Sequence, residues 1–371
     1  MAGLARGLSG PERAGALTPP RAAGHPRRGW ACGLQRPRRH QTGSQPLRIL
    51  SLIATRLAKA VVVLLLIVIA NFLLIHAAPG DPAAVMAGEA GAADEKFIAQ
   101  LRERFGLDQP FLVQLWTYVK GVLQLNLGYS YRQQAPVLDL ILERLPATLL
   151  LTLTAFVISL TLGVVSGVVA AARQGKWTDS LVTSLALLFY ATPLYWLALM
   201  AVLLFSVQLG WLPGYGYETI GSDATGLAHA LDVARHLVLP ALTLGLFFTA
   251  IYMRMTRASM LEVSGMDFVK TAKAKGLSPG RVQRRHVLRN ALLPVVTLAG
   301  LQAGQLVGGA VLTETVFAWP GIGRLMFDAL AQRDYNLLLG ILLISAALVI
   351  AFNILTDVIY SIVDPRIGAA P

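Results

Sequence analysis

The sequence predicts an all-α polytopic membrane protein with six membrane-spanning helices, and three observations carry that prediction. The 371-residue chain is 55% hydrophobic and only 14% charged, with a mean hydropathy of +0.59, which is too apolar for a soluble domain. Its apolar residues come in runs long enough to cross a bilayer. The segments between those runs alternate between basic and acidic bias, as the positive-inside rule requires of successive loops.

Residues 1–47 are rich in Arg, Pro and Gly, hold Glu12 as their one acid and show no apolar periodicity, so they read as a disordered basic tail. The pair Arg27-Arg28 is not followed by an apolar h-region, which argues against an export signal. The Arg-rich, acid-poor start resembles a transit peptide, against which stands its scarcity of serine; a misplaced start codon fits it equally. The first span, 57–77, follows Arg48, Arg56 and Lys59, which set the N-terminus inside. Residues 79–146 hold six basic and eight acidic residues and belong outside. Two amphipathic helices are expected there, one on Phe97, Ile98, Leu101 and Phe105 closed by Gly106, the other on Phe111, Leu115, Val119 and Val122.

The second span is expected at 147–171, and a short inside turn through Arg173 and Lys176 leads to the third, 181–209. Thr192-Pro193 should kink that helix, because the ring removes a backbone hydrogen bond. The loop 210–236 carries Arg235 against Glu218, Asp223 and Asp232 and reads as external. The fourth span is expected at 237–253. The fifth, 292–312, offers Gly300, Gly304, Gly308 and Gly309 as a small-residue face for close helix approach. The sixth, 337–360, ends at Asp364-Pro365-Arg366. In domain terms the chain divides into a tail (1–47), a first helix with an external helical segment (48–143) and a membrane core (144–366) with an inside loop at 264–290.

That loop is the stretch the rest is arranged around. Asp267 is placed to cap a short helix, 268–275, and Gly276 follows where a left-handed residue is wanted. Ser278 and Pro279 then start a second helix. Eight residues make no stable helix alone in water, so the first must pack on something. Phe268, Val269, Ala272 and Leu277 form its apolar face, and Ala272 and Ala274 let a partner's backbone come close, the geometry of a helix docking in a groove.

The net charge of +12 does not point to nucleic acid, since 11 of the 32 Lys and Arg lie in residues 1–59 and nine between Arg254 and Arg289, flanking spans. Lys270, Lys273, Lys275, Arg281, Arg284, Arg285 and Arg289 read as topology determinants in contact with anionic membrane lipid. The single Cys32 excludes an internal disulfide. No P-loop is present, because Gly175-Lys176-Trp177 lacks the earlier glycine and the following Ser/Thr, so ATP must be bound by another chain and no cofactor by this one. Neither an H-E-x-x-H helix nor a G-x-S-x-G elbow occurs, and no metal site is expected, His76 and His286 reading as structural. Spans two to five have no Asp, Glu, Lys, Arg or His in their cores, and span six offers only Asn353 and, near its inside end, Asp357. A proton- or sodium-coupled carrier needs such groups or broken helices at the midplane, so energy must come from outside the membrane.

Two stretches carry a resemblance. Thr271-Ala272-Lys273-Ala274-Lys275-Gly276-Leu277, followed by His286-Val287-Leu288-Arg289-Asn290-Ala291-Leu292-Leu293-Pro294, resembles the "EAA" loop of ABC importer permeases in their dipeptide, oligopeptide and nickel branch. Glu314-Thr315-Val316-Phe317-Ala318-Trp319-Pro320-Gly321, followed by Arg333-Asp334-Tyr335, resembles a second signature of that branch. Lys270 replaces the glutamate of the general pattern and Arg289 its later proline, departures usual in the peptide branch. The resemblance covers 48–366. It implies a type I ABC importer permease core of five helices plus a peripheral first helix, importing a dipeptide, an oligopeptide or nickel across a bacterial inner membrane, with both termini cytoplasmic. It implies a second homologous permease subunit, two ATP-binding subunits and an extracytoplasmic solute-binding protein as partners. Phe268, Val269, Ala272, Ala274, Gly276 and Leu277 would contact the ATPase. Asn290, Pro294, Glu314, Trp319, Pro320, Gly321 and Asp334 belong to the signatures without an assigned role. A stand-alone secondary carrier or channel, or a membrane anchor for a soluble enzyme, are the rival readings.

Overall fold

The computed structural model describes residues 45–77, 82–89, 94–105 and 108–363. The tail up to residue 44, Gly106 and the Asp364-Pro365-Arg366 terminus lie outside the described residues. The chain is helical nearly throughout: α1 (Gln45–Ala77), α2 (Pro82–Glu89), α3 (Glu95–Phe105), α4 (Phe111–Leu123), then a two-stranded antiparallel hairpin of β1 (Tyr129–Ser130) and β2 (Ala135–Pro136), followed by α5 (Val137–Ala172), α6 (Trp177–Ala191) and α7 (Leu194–Ala201). Beyond them come α8 (Leu227–Ser264), α9 (Asp267–Ala274), α10 (Pro279–Arg281), α11 (Arg289–Val316), α12 (Ile322–Gln332) and α13 (Tyr335–Val363). Among the described residues, segments Ala54–Leu74, Val137–Ala172, Leu227–Ser264 and Tyr335–Thr356 are long and apolar enough to cross a membrane. The bent pair formed by α6 and Leu194–Gln208 makes a fifth. The remaining expected span is α11, 28 residues long.

Several boundaries differ from those expected, each for a packing reason. The second span does not begin after Pro146 but nine residues before it, at Val137, with the proline inside the helix. Val137 and Ile141 are fully buried against Ile322, Leu325, Leu337 and Ile341 of α12 and α13, and that contact holds the first turns helical despite the missing N–H at Pro146. The last ten residues of the loop expected at 210–236 are helix, because α8 starts at Leu227 and buries Val233, His236 and Leu237. Thr192-Pro193 does more than kink the third span: α6 and the following segment stand 102° apart. The second short helix of the 264–290 stretch is no separate element. After α10 a π-helical turn, Val282–Leu288, leads straight into α11.

The core is the contact of α5 with α8, the most extensive helix pair, joined by α11. A small-residue stripe on α5, Ala155, Ser159, Gly163 and Gly167, makes it possible. A Cβ on Gly163 would run into Tyr252, and one on Gly167 into Thr256. Helices in lipid associate through such close packing rather than through water exclusion. The glycines expected to serve this purpose on α11 also do so where described, Gly300 meeting Thr356 and Gly304 meeting Val349 of α13. α1 is peripheral: it packs on α13 and α4, Asn71 donates to the Leu339 carbonyl at 3.2 Å, and Leu66, Leu73 and Leu74 stay exposed. His76 pairs there with Gln114 Oε1 at 2.9 Å and with the Phe72 carbonyl.

Candidate functional site

α9 is a helix of eight residues held from one side. Asp267 stands at its first position, where a negative charge suits the helix dipole. The expected cap at Asp267 is not formed: Met266 is the N-cap residue, with no side-chain cap bond, and the Asp267 carboxylate takes Lys270 Nζ at 2.8 Å instead. Both groups are exposed, so that pair contributes little. The helix ends as the sequence suggests. Gly276 has φ +77°, the Leu277 N–H donates to the Ala272 carbonyl and the Gly276 N–H to that of Lys273, the paired bonds of a glycine-terminated helix.

The six residues expected at a partner contact divide between two faces. Val269 is fully buried and Ala272 nearly so, packed with Met260, Val263, Val282, Val287 and Ala291 of this same chain, and half-buried Leu277 joins them. Phe268 (42% exposed), Ala274 and Gly276 face outward, among basic side chains that are all exposed. Nearby, Asp179 at the start of α6 accepts both Arg257 Nε and a second guanidinium nitrogen at 2.8 Å, and takes the Gly175 N–H as well. This bidentate pair, its carboxylate buried and its guanidinium partly exposed, fixes the α5–α6 turn to α8, two turns before the loop.

At the other end of α11 the second signature folds into a knot. The Glu314 carboxylate, fully buried, accepts the Thr148 hydroxyl of α5 at 2.7 Å and the Arg324 N–H in the first turn of α12 at 3.0 Å. Thr148 Oγ1 in turn accepts the Ile322 N–H at 2.8 Å. A carboxylate and a hydroxyl thus serve the orphan donors of one helix N-terminus. Gly321 is required for this, since a Cβ there would overlap the Glu314 carboxyl. Trp319 is fully buried, donates Nε1–H to the Ala147 carbonyl at 2.9 Å and packs on Tyr217; Pro320, half-buried, makes the turn between. Asp334 caps α13 through the Leu337 N–H at 3.0 Å and takes the Ser130 hydroxyl of the hairpin. Asn290 and Pro294 lie on α11, where Asn290 Nδ2 donates to the His286 carbonyl at 2.7 Å and Pro294 sits inside the helix.

Sequence reasoning missed Thr148, Asp179, Arg257 and Arg324. Asp179 could have been found as a lone acid beside an otherwise basic turn; Thr148 carries no local signal at all. Among the described residues no group of three or more His, Cys, Asp or Glu side chains could hold a metal ion.

A bundle of long apolar helices that carries a short amphipathic helix, seated on one face and open on the other, defines the class of polytopic membrane proteins. The family described as binding-protein-dependent transport system inner membrane component matches residues 163–369, and its N-terminal counterpart matches residues 49–152. The chain belongs to that family. It is 42% identical over 335 residues to the di/tripeptide transport system permease protein DppB of Pseudomonas aeruginosa, covering 86% of this chain and 99% of the relative. A putative peptide transport system permease protein of Brucella abortus is 43% identical over 317 residues, with 85% and 98% covered. The dipeptide transport system permease protein DppB of Escherichia coli is 39% identical over 336 residues, with 86% and 99% covered. Among solved structures, the inward-facing MetNI methionine ABC transporter superposes with a TM-score of 0.48 at 19% identity, over 61% of this chain and 96% of that one.

Proposed function

We propose that this chain is the permease subunit of an ATP-driven importer of the inner membrane whose cargo is a peptide or a related small solute. One observation carries the reading: α9 is seated by Val269 and Ala272 in this chain's own core while Phe268 and Ala274 stay exposed on its other face. A helix fixed on one side and bare on the other suits a groove in a second chain. Contact with an ATP-binding subunit then runs over Phe268, Ala274 and the Gly276 bend, and the buried residues serve by holding the helix in place.

The peptide cargo, a dipeptide or oligopeptide before nickel, is supported by the relatives, which are described as peptide permeases. The complete transporter contains a second homologous permease, two ATP-binding subunits and an extracytoplasmic solute-binding protein. ATP is bound by those partners, and the chain has no ATPase site of its own. Both termini and the α9 loop face the cytoplasm, in keeping with the basic residues around α9. The relatives, described as permease proteins of peptide transport systems, favour this reading over a stand-alone carrier.

Purification of the tagged chain from membranes that also make its ATP-binding subunits tests the reading. Those subunits should co-purify, and the solute-loaded binding protein should stimulate ATP hydrolysis. Solute uptake by the chain alone, in vesicles without ATP or any ATP-binding subunit, would refute it.

A further inference from the structure

The elbow between α6 and α7 lies beside an apolar stretch of α8. α6 and α8 run antiparallel, with Asp179 bound to Arg257 and Tyr190 stacked on Phe247 at 5.5 Å. That register sets Thr192-Pro193 beside the middle of the apolar stretch 237–253. Thr192 is extended (φ −78°, ψ 133°), and α7 begins after Pro193 without a side-chain cap. Irregular backbone at membrane depth is tolerated only where protein covers it or where it lines water. This chain does not cover it: Tyr190, Ala191, Pro193, Tyr195 and Trp196 are all exposed.

A second observation concerns charge. Arg257 is neutralised by Asp179, whereas Arg254, one turn earlier on α8, makes no ion pair among the described residues. Its guanidinium carbon lies 5.6 Å from the centre of the Tyr190 ring. Helical side chains lean toward their own N-terminus. Arg254 therefore leans along α8 toward the midplane, and Tyr190 leans back along α6 to meet it. An arginine facing lipid would stretch the other way, toward the headgroups.

We infer that the elbow lines the transport path and that Arg254, beside Tyr190, receives a carboxylate of the solute on its passage. The carboxylate follows from the peptide reading, on which this inference rests, since a peptide with a free C-terminus carries one. The aromatic rings of Tyr190, Tyr195 and Trp196 supply a wall that tolerates varied apolar side chains.

The test uses the assembled transporter in lipid vesicles, with Cys32→Ser as background. Tyr195→Cys and Trp196→Cys should react with a charged, water-soluble thiol reagent, while Leu66→Cys on peripheral α1 should not. Elbow cysteines as inert as Leu66→Cys would mean that lipid or the second permease covers the elbow, and would overturn the inference. Arg254→Ala should lower the number of dipeptide molecules moved per ATP by about tenfold, the loss of one charged hydrogen bond, and Arg254→Lys should keep most of that number. A wild-type ratio for Arg254→Ala overturns the carboxylate role. So does a deficit that disappears in vesicles of phosphatidylcholine alone, since Arg254 would then be holding an anionic headgroup. A transporter that hydrolyses ATP but moves no peptide refutes the peptide reading instead, and the labelling still reports whether the elbow meets water.

Discussion

The α9 loop and the α11–α12 turn lie at opposite ends of α11, and both are dense in signature residues. In the turn, the carboxylate of Glu314, the indole N–H of Trp319 and the hydroxyl of Thr148 all find partners within the chain. The loop turns Val269, Ala272, Leu277, Val282 and Val287 to internal packing, and its phenylalanine and basic residues stay outside. A signature can thus mark either a brace or a contact. What separates the two is whether the polar and bulky groups are satisfied internally: a satisfied buried network rigidifies, whereas a helix with one bare face is incomplete without a partner.

The largest effect should come from breaking the brace. Glu314→Ala leaves the Thr148 hydroxyl and the Arg324 N–H unpaired in a buried site, a loss on the order of 3 kcal/mol. Thermal unfolding of the purified protein should show it, with a smaller loss for Glu314→Gln, which keeps an acceptor. A melting temperature unchanged in Glu314→Ala would mean that the knot is not a brace.

On the loop, two neighbouring substitutions should part company. Ala272→Asp puts an unpaired carboxylate among Met260, Val263 and Val287, costing roughly 1–3 kcal/mol, and should open the loop to trypsin at Lys273 and Lys275. Phe268→Ala touches only the bare face and should leave the trypsin pattern as it is. Both should lose ATP-binding subunits on purification. Full retention of those subunits by Phe268→Ala would place the contact elsewhere. Gly276→Val forces a β-branched residue to φ +77°, a strain of about 1–3 kcal/mol; uptake and stimulated ATP hydrolysis should fall together in vesicles.

The smallest effect is on topology alone. In the Cys32→Ser background, Ser222→Cys should be labelled in intact cells by a membrane-impermeant thiol reagent and Ser278→Cys should not. Labelling of Ser278→Cys from outside would place the α9 loop on the wrong side for any ATPase.

Helices α3 and α4 were legible from their apolar spacing, and the short helix ended by Gly276 from its glycine. These are local features: periodicity, a residue free to adopt positive φ, a proline at a helix start. The seven signature residues were visible as a pattern, but their work was not. Glu314 and Thr148 stand 166 positions apart, and nothing near either announces the other.

The sequence by itself determined that the chain is a helical membrane protein, roughly where its apolar segments run, and where the loop helix bends, because hydropathy, charge bias and glycine chemistry act over a few residues. Only the tertiary structure decided which face of α9 is buried, that the third span breaks by 102° rather than kinks, and that α5 and α8 extend past Pro146 and His236. Those outcomes depend on which distant helix supplies the packing partner: Val269 and Ala272 face inward because Met260, Val263 and Val287 are there to meet them, and no local rule contains that meeting.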